Sequence, residues 1–229
     1  MIFHNPDIIF LHIPKTAGNY FTNLFIDYSE ESKIVNDKNV QDGKNRFSIK
    51  SKFSSKKHHT LSEYKHNLIL KNYEIFFTYR DPLMRLLSGF FSPNYVLAKH
   101  NLKDVNEYKF SLLDFKNFIK NEKSSFEYLV NTKNKLKLKF VKTFKIKSFV
   151  KNDSYSIKFL DFNNLDIDIK KFISRYNFDI PNKELKSKVN VSFHSEKIQE
   201  LSNNKNIKEI ITNSHHRLDY EILNNFERI

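Results

Sequence analysis

An apolar run that stops abruptly on a cationic turn and passes straight into helical periodicity occurs twice in this chain. Ile8-Ile9-Phe10-Leu11 has the look of a buried strand, and it ends at His12-Ile13-Pro14-Lys15-Thr16-Ala17-Gly18. Tyr20, Phe21, Leu24 and Phe25 then recur at helical spacing, which predicts a helix running to about residue 28. The second unit is Glu74-Ile75-Phe76-Phe77-Thr78-Tyr79, ending at Arg80-Asp81-Pro82. Asp is a good N-cap and Pro is favoured at the first helical position, so Leu83, Leu86, Leu87 and Phe90 mark a second helix. Strands alternating with helices predict an α/β fold: a P-loop-like, three-layer arrangement with a central parallel sheet flanked by helices.

The rest of the chain fits one domain over residues 1–229, with no repeat and no linker. Residues 30–56 read as an irregular excursion. A short helix is expected over 61–68, and helices near 111–121 and 124–132. Residues 133–151 are ambiguous between strand and helix. A strand is expected over 155–160, a helix over 167–176, a short extended piece at 189–192, and two closing helices near 194–202 and 207–226. The segment Met1 to Pro14 reads as the first strand, not as a signal peptide, and no apolar run approaches the ~18 residues needed to span a bilayer.

Composition narrows the chemistry. The chain has no cysteine, which excludes disulfides, thiolate nucleophiles and Cys-ligated metals and fits a cytoplasmic protein. The net charge of +13 suits a polyanionic partner such as a nucleic acid, an anionic lipid or a phosphorylated donor. A lysine-rich solvated surface explains the same number.

The first turn carries the sharpest chemical signal. A helix that starts just beyond a parallel strand offers free N–H groups and the positive end of its dipole, so anions bind there. Gly18 lets the backbone approach closely, Lys15 can reach a phosphate oxygen, and Thr16 adds a hydroxyl. The spacing is not G-x-x-x-x-G-K-[ST], because the glycine follows the Lys-Thr pair and none precedes it. Nucleoside-triphosphate hydrolysis is therefore disfavoured.

His12-Ile13-Pro14-Lys15-Thr16-Ala17-Gly18 resembles the 5′-phosphosulfate-binding loop of sulfotransferases that use 3′-phosphoadenosine 5′-phosphosulfate (PAPS). The nearest group is the carbohydrate type, which includes heparan-sulfate 2-O- and chondroitin-type enzymes and their bacterial relatives. Asn19 and Tyr20 depart from the small hydroxyl residues usual there. Tyr79-Arg80-Asp81-Pro82-Leu83-Met84-Arg85-Leu86-Leu87-Ser88 resembles the same family's 3′-phosphate segment, in which the Arg and the Ser eight positions later hold that phosphate. Weaker resemblance covers 57–60, 157–165 (with Asp161 where Glu is usual), 188–192 and 218–223.

The resemblance implies a sulfotransferase that binds its donor through Pro14, Lys15, Thr16, Ala17, Gly18, Asn19, Tyr20, Arg80 and Ser88. Lys15 would stabilise the bridging oxygen, and no metal is required. The base is expected at His58, with His59 beside it; His12 reads as structural, and His215-His216 as a surface pair. The implied acceptor is a carbohydrate or glycolipid hydroxyl, its site built by 30–56 and 92–135. No nucleic-acid partner and no integral membrane segment are expected, and the implied setting is the bacterial cytoplasm. The alternatives are a nucleotide-dependent kinase-like transferase, a non-catalytic polyanion- or RNA-binding module, and a sulfotransferase that has kept donor binding without turnover.

Overall fold

The computed structural model describes residues 1–35, 47–50, 58–65, 68–92, 95–96, 98–104, 107–129, 156–181, 185 and 195–229. The chain opens with strands β1 (Ile2–His4) and β2 (Asp7–Leu11), helix α1 (Gly18–Phe25) and a 3-10 turn at Ile26–Tyr28. Strands β3 (Ser32–Val35) and β4 (Phe47–Lys50) follow, then helix α2 (Leu61–Lys65). The second strand–helix unit is β5 (Glu74–Tyr79) and α3 (Pro82–Phe90). Helices α4 (Ala98–His100), α5 (Leu112–Asn121) and α6 (Ser125–Leu129) lead towards β6 (Ser156–Asp161), a 3-10 turn at Phe162–Asn164 and α7 (Leu165–Tyr176). The chain closes with α8 (Ser195–Ser202), α9 (Lys205–Thr212), a 3-10 segment His215–Glu221, α10 (Ile222–Asn225) and β7 (Glu227–Arg228).

The main sheet has the order β1-β2-β5-β6-β7. The pairs β2–β5, β5–β6 and β6–β7 are parallel, and β1 closes the other edge antiparallel to β2. The alternation of side chains along each strand explains the layers. Phe10, Phe76 and Leu160 face α1 and α7, where Phe21 stacks on Phe10 with ring centroids 3.7 Å apart. Ile9, Leu11, Ile75, Phe77 and Phe159 face the opposite layer, which holds Leu61, Tyr64, Leu129, Ile222 and Phe226. Each fully buried Phe contributes about 2–3 kcal/mol of apolar transfer free energy. A third cluster, from α3, α5, α8 and α9, builds a helical lobe around Phe90, Phe115, Phe118 and Ile207.

Three expectations need correction. Residues 1–11 form a hairpin of two strands, since Ile2 and Phe3 pair with Ile9 and Ile8. The segment 30–56 is not wholly irregular, because β3 and β4 pair antiparallel within it. The closing helix expected over 207–226 is broken after Thr212: Ser214 accepts the N–H of His216, and that local bond replaces the helical one. Residues 133–151 and 189–192 lie outside the described residues.

The break buries His216, which the sequence places on the surface; its exposure is 0%. Asp219, also at 0%, accepts the N–H groups of Ser125 and Phe126, each at 2.8 Å. Its carboxylate faces Arg85 of α3 at 3.5 Å, and Arg85 also donates to the Lys123 carbonyl at 2.9 Å. Arg85 is thus a structural clamp between α3 and the start of α6. Burial alone would raise the Asp219 carboxyl, but His216, the Arg85 guanidinium and the Phe126 N–H hold it below the usual carboxylate range. A depressed carboxylate contributes stability that is present above its unfolded pKa of about 4 and is lost as pH falls through the lower folded value. Asp219→Asn should therefore lower stability at pH 7 by about 3–5 kcal/mol, since it leaves a buried cation unpaired. It should also flatten the acid limb of a thermal-melting profile below pH 4.

Candidate functional site

Beyond Leu11 the backbone turns tightly, with the Ile13 N–H donating to the Leu11 carbonyl at 3.0 Å. Thr16 Oγ1 donates back to the Ile13 carbonyl at 2.9 Å, so the hydroxyl closes the loop from inside. The φ angle is +66° at Lys15 and +65° at Ala17, and is not positive at Thr16 between them or at Gly18 after them. Backbone that alternates handedness in this way turns successive N–H groups towards one side and makes an anion-binding concavity. Residues 14–17 form a turn, and beyond that turn no acceptor among the described residues takes the N–H groups of Thr16, Ala17 and Gly18. Ala17 caps α1 without a side-chain bond, so the positive end of the helix is open as well. Two non-glycine residues in the left-handed region cost about 1–2 kcal/mol each, a strain that persists at functional sites.

The parallel register brings a cation to this loop. Leu11 pairs with Phe77 and Tyr79 with Asp161, so Arg80 leaves β5 beside the ends of both neighbouring strands. Its Nη1 donates to the Lys15 carbonyl at 3.0 Å, and its guanidinium carbon lies 4.3 Å from the centre of the Phe162 ring. Asp81, the nearest acid in sequence, caps α3 through the Met84 N–H at 2.9 Å. Among the described residues no carboxylate forms an ion pair with Arg80, and its buried Nε has no hydrogen-bond partner. Burial pushes the Arg80 pKa down to about 10; Asp81 opposes that shift and Arg85 adds to it. The stem of Lys15 passes α3 at Gly89, where a Cβ would lie 3.8 Å from Lys15 Cγ. Ser88, at 9% exposure, precedes that glycine.

Histidines line the back of the loop. His12 is 4% exposed, and its ring fills the space where a Cβ of Gly18 would stand, 2.1 Å from its Cδ2. His58 meets His12 edge to face at 4.6 Å, and its Nδ1 lies 2.8 Å from the His12 carbonyl oxygen. A carbonyl only accepts, so Nδ1 carries the proton and Nε2 holds the lone pair of the neutral ring. His59 turns the other way, towards α2, with Nδ1 3.6 Å from Glu63 and its ring against Tyr64.

The sulfotransferase family model matches residues 1–221. The chain belongs to the sulfotransferase family. No curated protein and no solved structure significantly matches it. A sulfotransferase moves a sulfuryl group to an acceptor, and its five-stranded, mostly parallel sheet is the frame that carries the loop and Arg80. No helix among the described residues is long and apolar enough to cross a membrane.

In this sulfotransferase the residues singled out in the sequence are distributed unevenly. Pro14, Lys15, Thr16, Ala17 and Gly18 form the loop, and Arg80 touches it. His58 docks on its base, whereas His59 does not. Asn19 is the second residue of α1, and Tyr20 is buried, with its hydroxyl donating to the Leu185 carbonyl at 2.8 Å. Lys57 and residues 188–192 lie outside the described residues. Phe162 was not singled out; only the register of β5 against β6 brings it to Arg80. Gly18 is under a further constraint, because the His12 ring occupies the space that a Cβ would take. Gly18→Ala should therefore lose about 1–3 kcal/mol by overpacking. Adding His12→Ala should recover part of that loss, a non-additivity that thermal melting of the single and double variants would measure. Ala17→Gly should melt near wild type, since relief of about 1 kcal/mol of left-handed strain offsets the added freedom of the unfolded chain.

Proposed function

We propose that this sulfotransferase takes its sulfuryl group from PAPS and delivers it to a hydroxyl of a carbohydrate or glycolipid acceptor. The observation that carries the reading is a part-buried guanidinium with no carboxylate partner among the described residues, set against an anion-attracting loop at the open end of a helix. Two adjacent anion-seeking features suit a donor with two separate acidic groups, a 5′-phosphosulfate and a 3′-phosphate. The planar fork of Arg80 favours the 3′-phosphate, which it can bind bidentately, with Ser88 of α3 as the second contact that the family resemblance implies. The open end of α1 and the loop N–H groups favour the 5′-phosphate. The match of residues 1–221 to the family supports the same assignment.

The reaction needs position and charge stabilisation more than covalent help. The acceptor oxygen attacks sulfur, the bond from sulfur to the 5′-phosphate oxygen breaks, and adenosine 3′,5′-diphosphate leaves. Lys15 neutralises the charge that develops on the bridging oxygen. His58 takes the acceptor's proton at Nε2, its ring oriented by the Nδ1–H bond to the His12 carbonyl. The carbohydrate class of acceptor rests on the resemblance of the two donor segments to carbohydrate sulfotransferases.

Radiolabelled PAPS tested against a panel of oligosaccharides and simple phenols checks both halves of this reading. Label should pass to an oligosaccharide hydroxyl, and Lys15→Ala should reduce kcat by about 10²–10³. His58→Gln should lower kcat by about 10²–10⁴ with little change in donor affinity, whereas His59→Ala should stay near wild type. Transfer to phenols alone would overturn the acceptor assignment. Phosphoryl transfer from magnesium ATP, with none from PAPS, would establish the kinase-like alternative.

A further inference from the structure

We propose that Phe162 is a positioning residue for donor recognition: its ring holds the Arg80 guanidinium edge-on to the donor's 3′-phosphate, and so sets the preference for nucleotides that carry that phosphate. The inference rests on the donor reading above. It begins in the sheet. Tyr79 and Asp161 are register partners in parallel strands, so the residue after each emerges at the same level, and these are Arg80 and Phe162. The guanidinium carbon sits 4.3 Å above the ring centre, within the range of a cation–π contact.

The turn that presents the ring is locked at several points. Asp161 accepts the Asn163 N–H at 3.0 Å and the Asn164 side-chain amide at 2.7 Å. The Asp161 N–H donates to the buried Asp168 at 2.7 Å, and Arg228 grips Asp168 through Nε and Nη2, each at 2.9 Å from a carboxylate oxygen. The backbone that carries Phe162 is therefore fixed, which sets where its ring can stand. The opposite constraint on Arg80 is the bond from Nη1 to the Lys15 carbonyl. With one face on a ring and one corner on the loop, the guanidinium is held in a set plane; Nε is buried, so the terminal Nη groups are the donors that an arriving phosphate would meet edge-on. An arginine without this ring would have to order a long side chain on binding, and the ring removes that requirement in advance.

The test compares calorimetric affinities for adenosine 3′,5′-diphosphate and adenosine 5′-phosphate in the wild type, Phe162→Leu, Phe162→Met, Phe162→Tyr and Arg80→Ala. The ratio of the two affinities isolates the 3′-phosphate. Leu and Met, which lack a π face, should reduce the ratio about tenfold, and Tyr should retain it. Arg80→Ala should remove most of the ratio. If Phe162→Leu or Phe162→Met lowers the melting temperature but leaves the ratio intact while Arg80→Ala collapses it, Phe162 is packing only and the proposal is overturned with the donor reading standing. If Arg80→Ala leaves the ratio unchanged, the donor reading fails and the proposal falls with it.

Discussion

Arg80 occupies a position that an isolated protein has little reason to stabilise. Its guanidinium is part-buried, its pKa is pushed down to about 10, and it has no carboxylate partner among the described residues. Withdrawing a cation from water is unfavourable unless a counter-charge arrives. The neighbouring loop raises the same demand from the opposite direction, since beyond the turn itself its N–H groups meet no acceptor among the described residues. One bond, from Arg80 Nη1 to the Lys15 carbonyl, joins the two features into a single site. An anion bound there would relieve both at once.

The remainder of the architecture keeps that site in place. Three parallel strand ends meet at it: β2 brings the loop, β5 brings Arg80 and β6 brings Phe162. Aromatic packing on the α1 and α7 side fixes the helix whose N-terminus forms the loop, through Phe10, Phe21, Phe25 and Phe172. On the far side of α3, the buried Arg85–Asp219 pair holds that helix against α6. The two arginines of one short segment thus divide the work. Arg85 has a buried carboxylate and is structural; Arg80 has none among the described residues, which suits the ligand role proposed for it. His12 joins the loop to its surroundings by filling the hollow under Gly18 and accepting His58 on its carbonyl.

Much of this was legible in the sequence where the signal is local. The run Ile8 to Leu11 and the turn Arg80-Asp81-Pro82 announce strand ends and a capped helix through periodicity and cap chemistry, and β5 falls on the expected residues. The family resemblance carried by the loop agrees with the match over residues 1–221. What escaped notice depends on contacts between distant segments. Strands β1 and β7 have three and two residues, too short for any period to show. His215 and His216 look alike in sequence, yet the break at Ser214 sends His216 into the interior beside Asp219. The partnership of Phe162 with Arg80 required the register of two strands far apart in sequence, Glu74–Tyr79 and Ser156–Asp161. Gly18 was visible as a glycine, but its neighbour His12 was not.

The central claim is that the loop at 14–18 and Arg80 together form one nucleotide site built for separate 3′ and 5′ acidic groups. Calorimetric titration of the wild-type protein with adenosine 3′,5′-diphosphate, in parallel with magnesium ATP, addresses it most directly. The account predicts one diphosphate bound per chain, at least about tenfold more tightly than ATP. Equal or tighter binding of ATP, or no binding of the diphosphate, would contradict it.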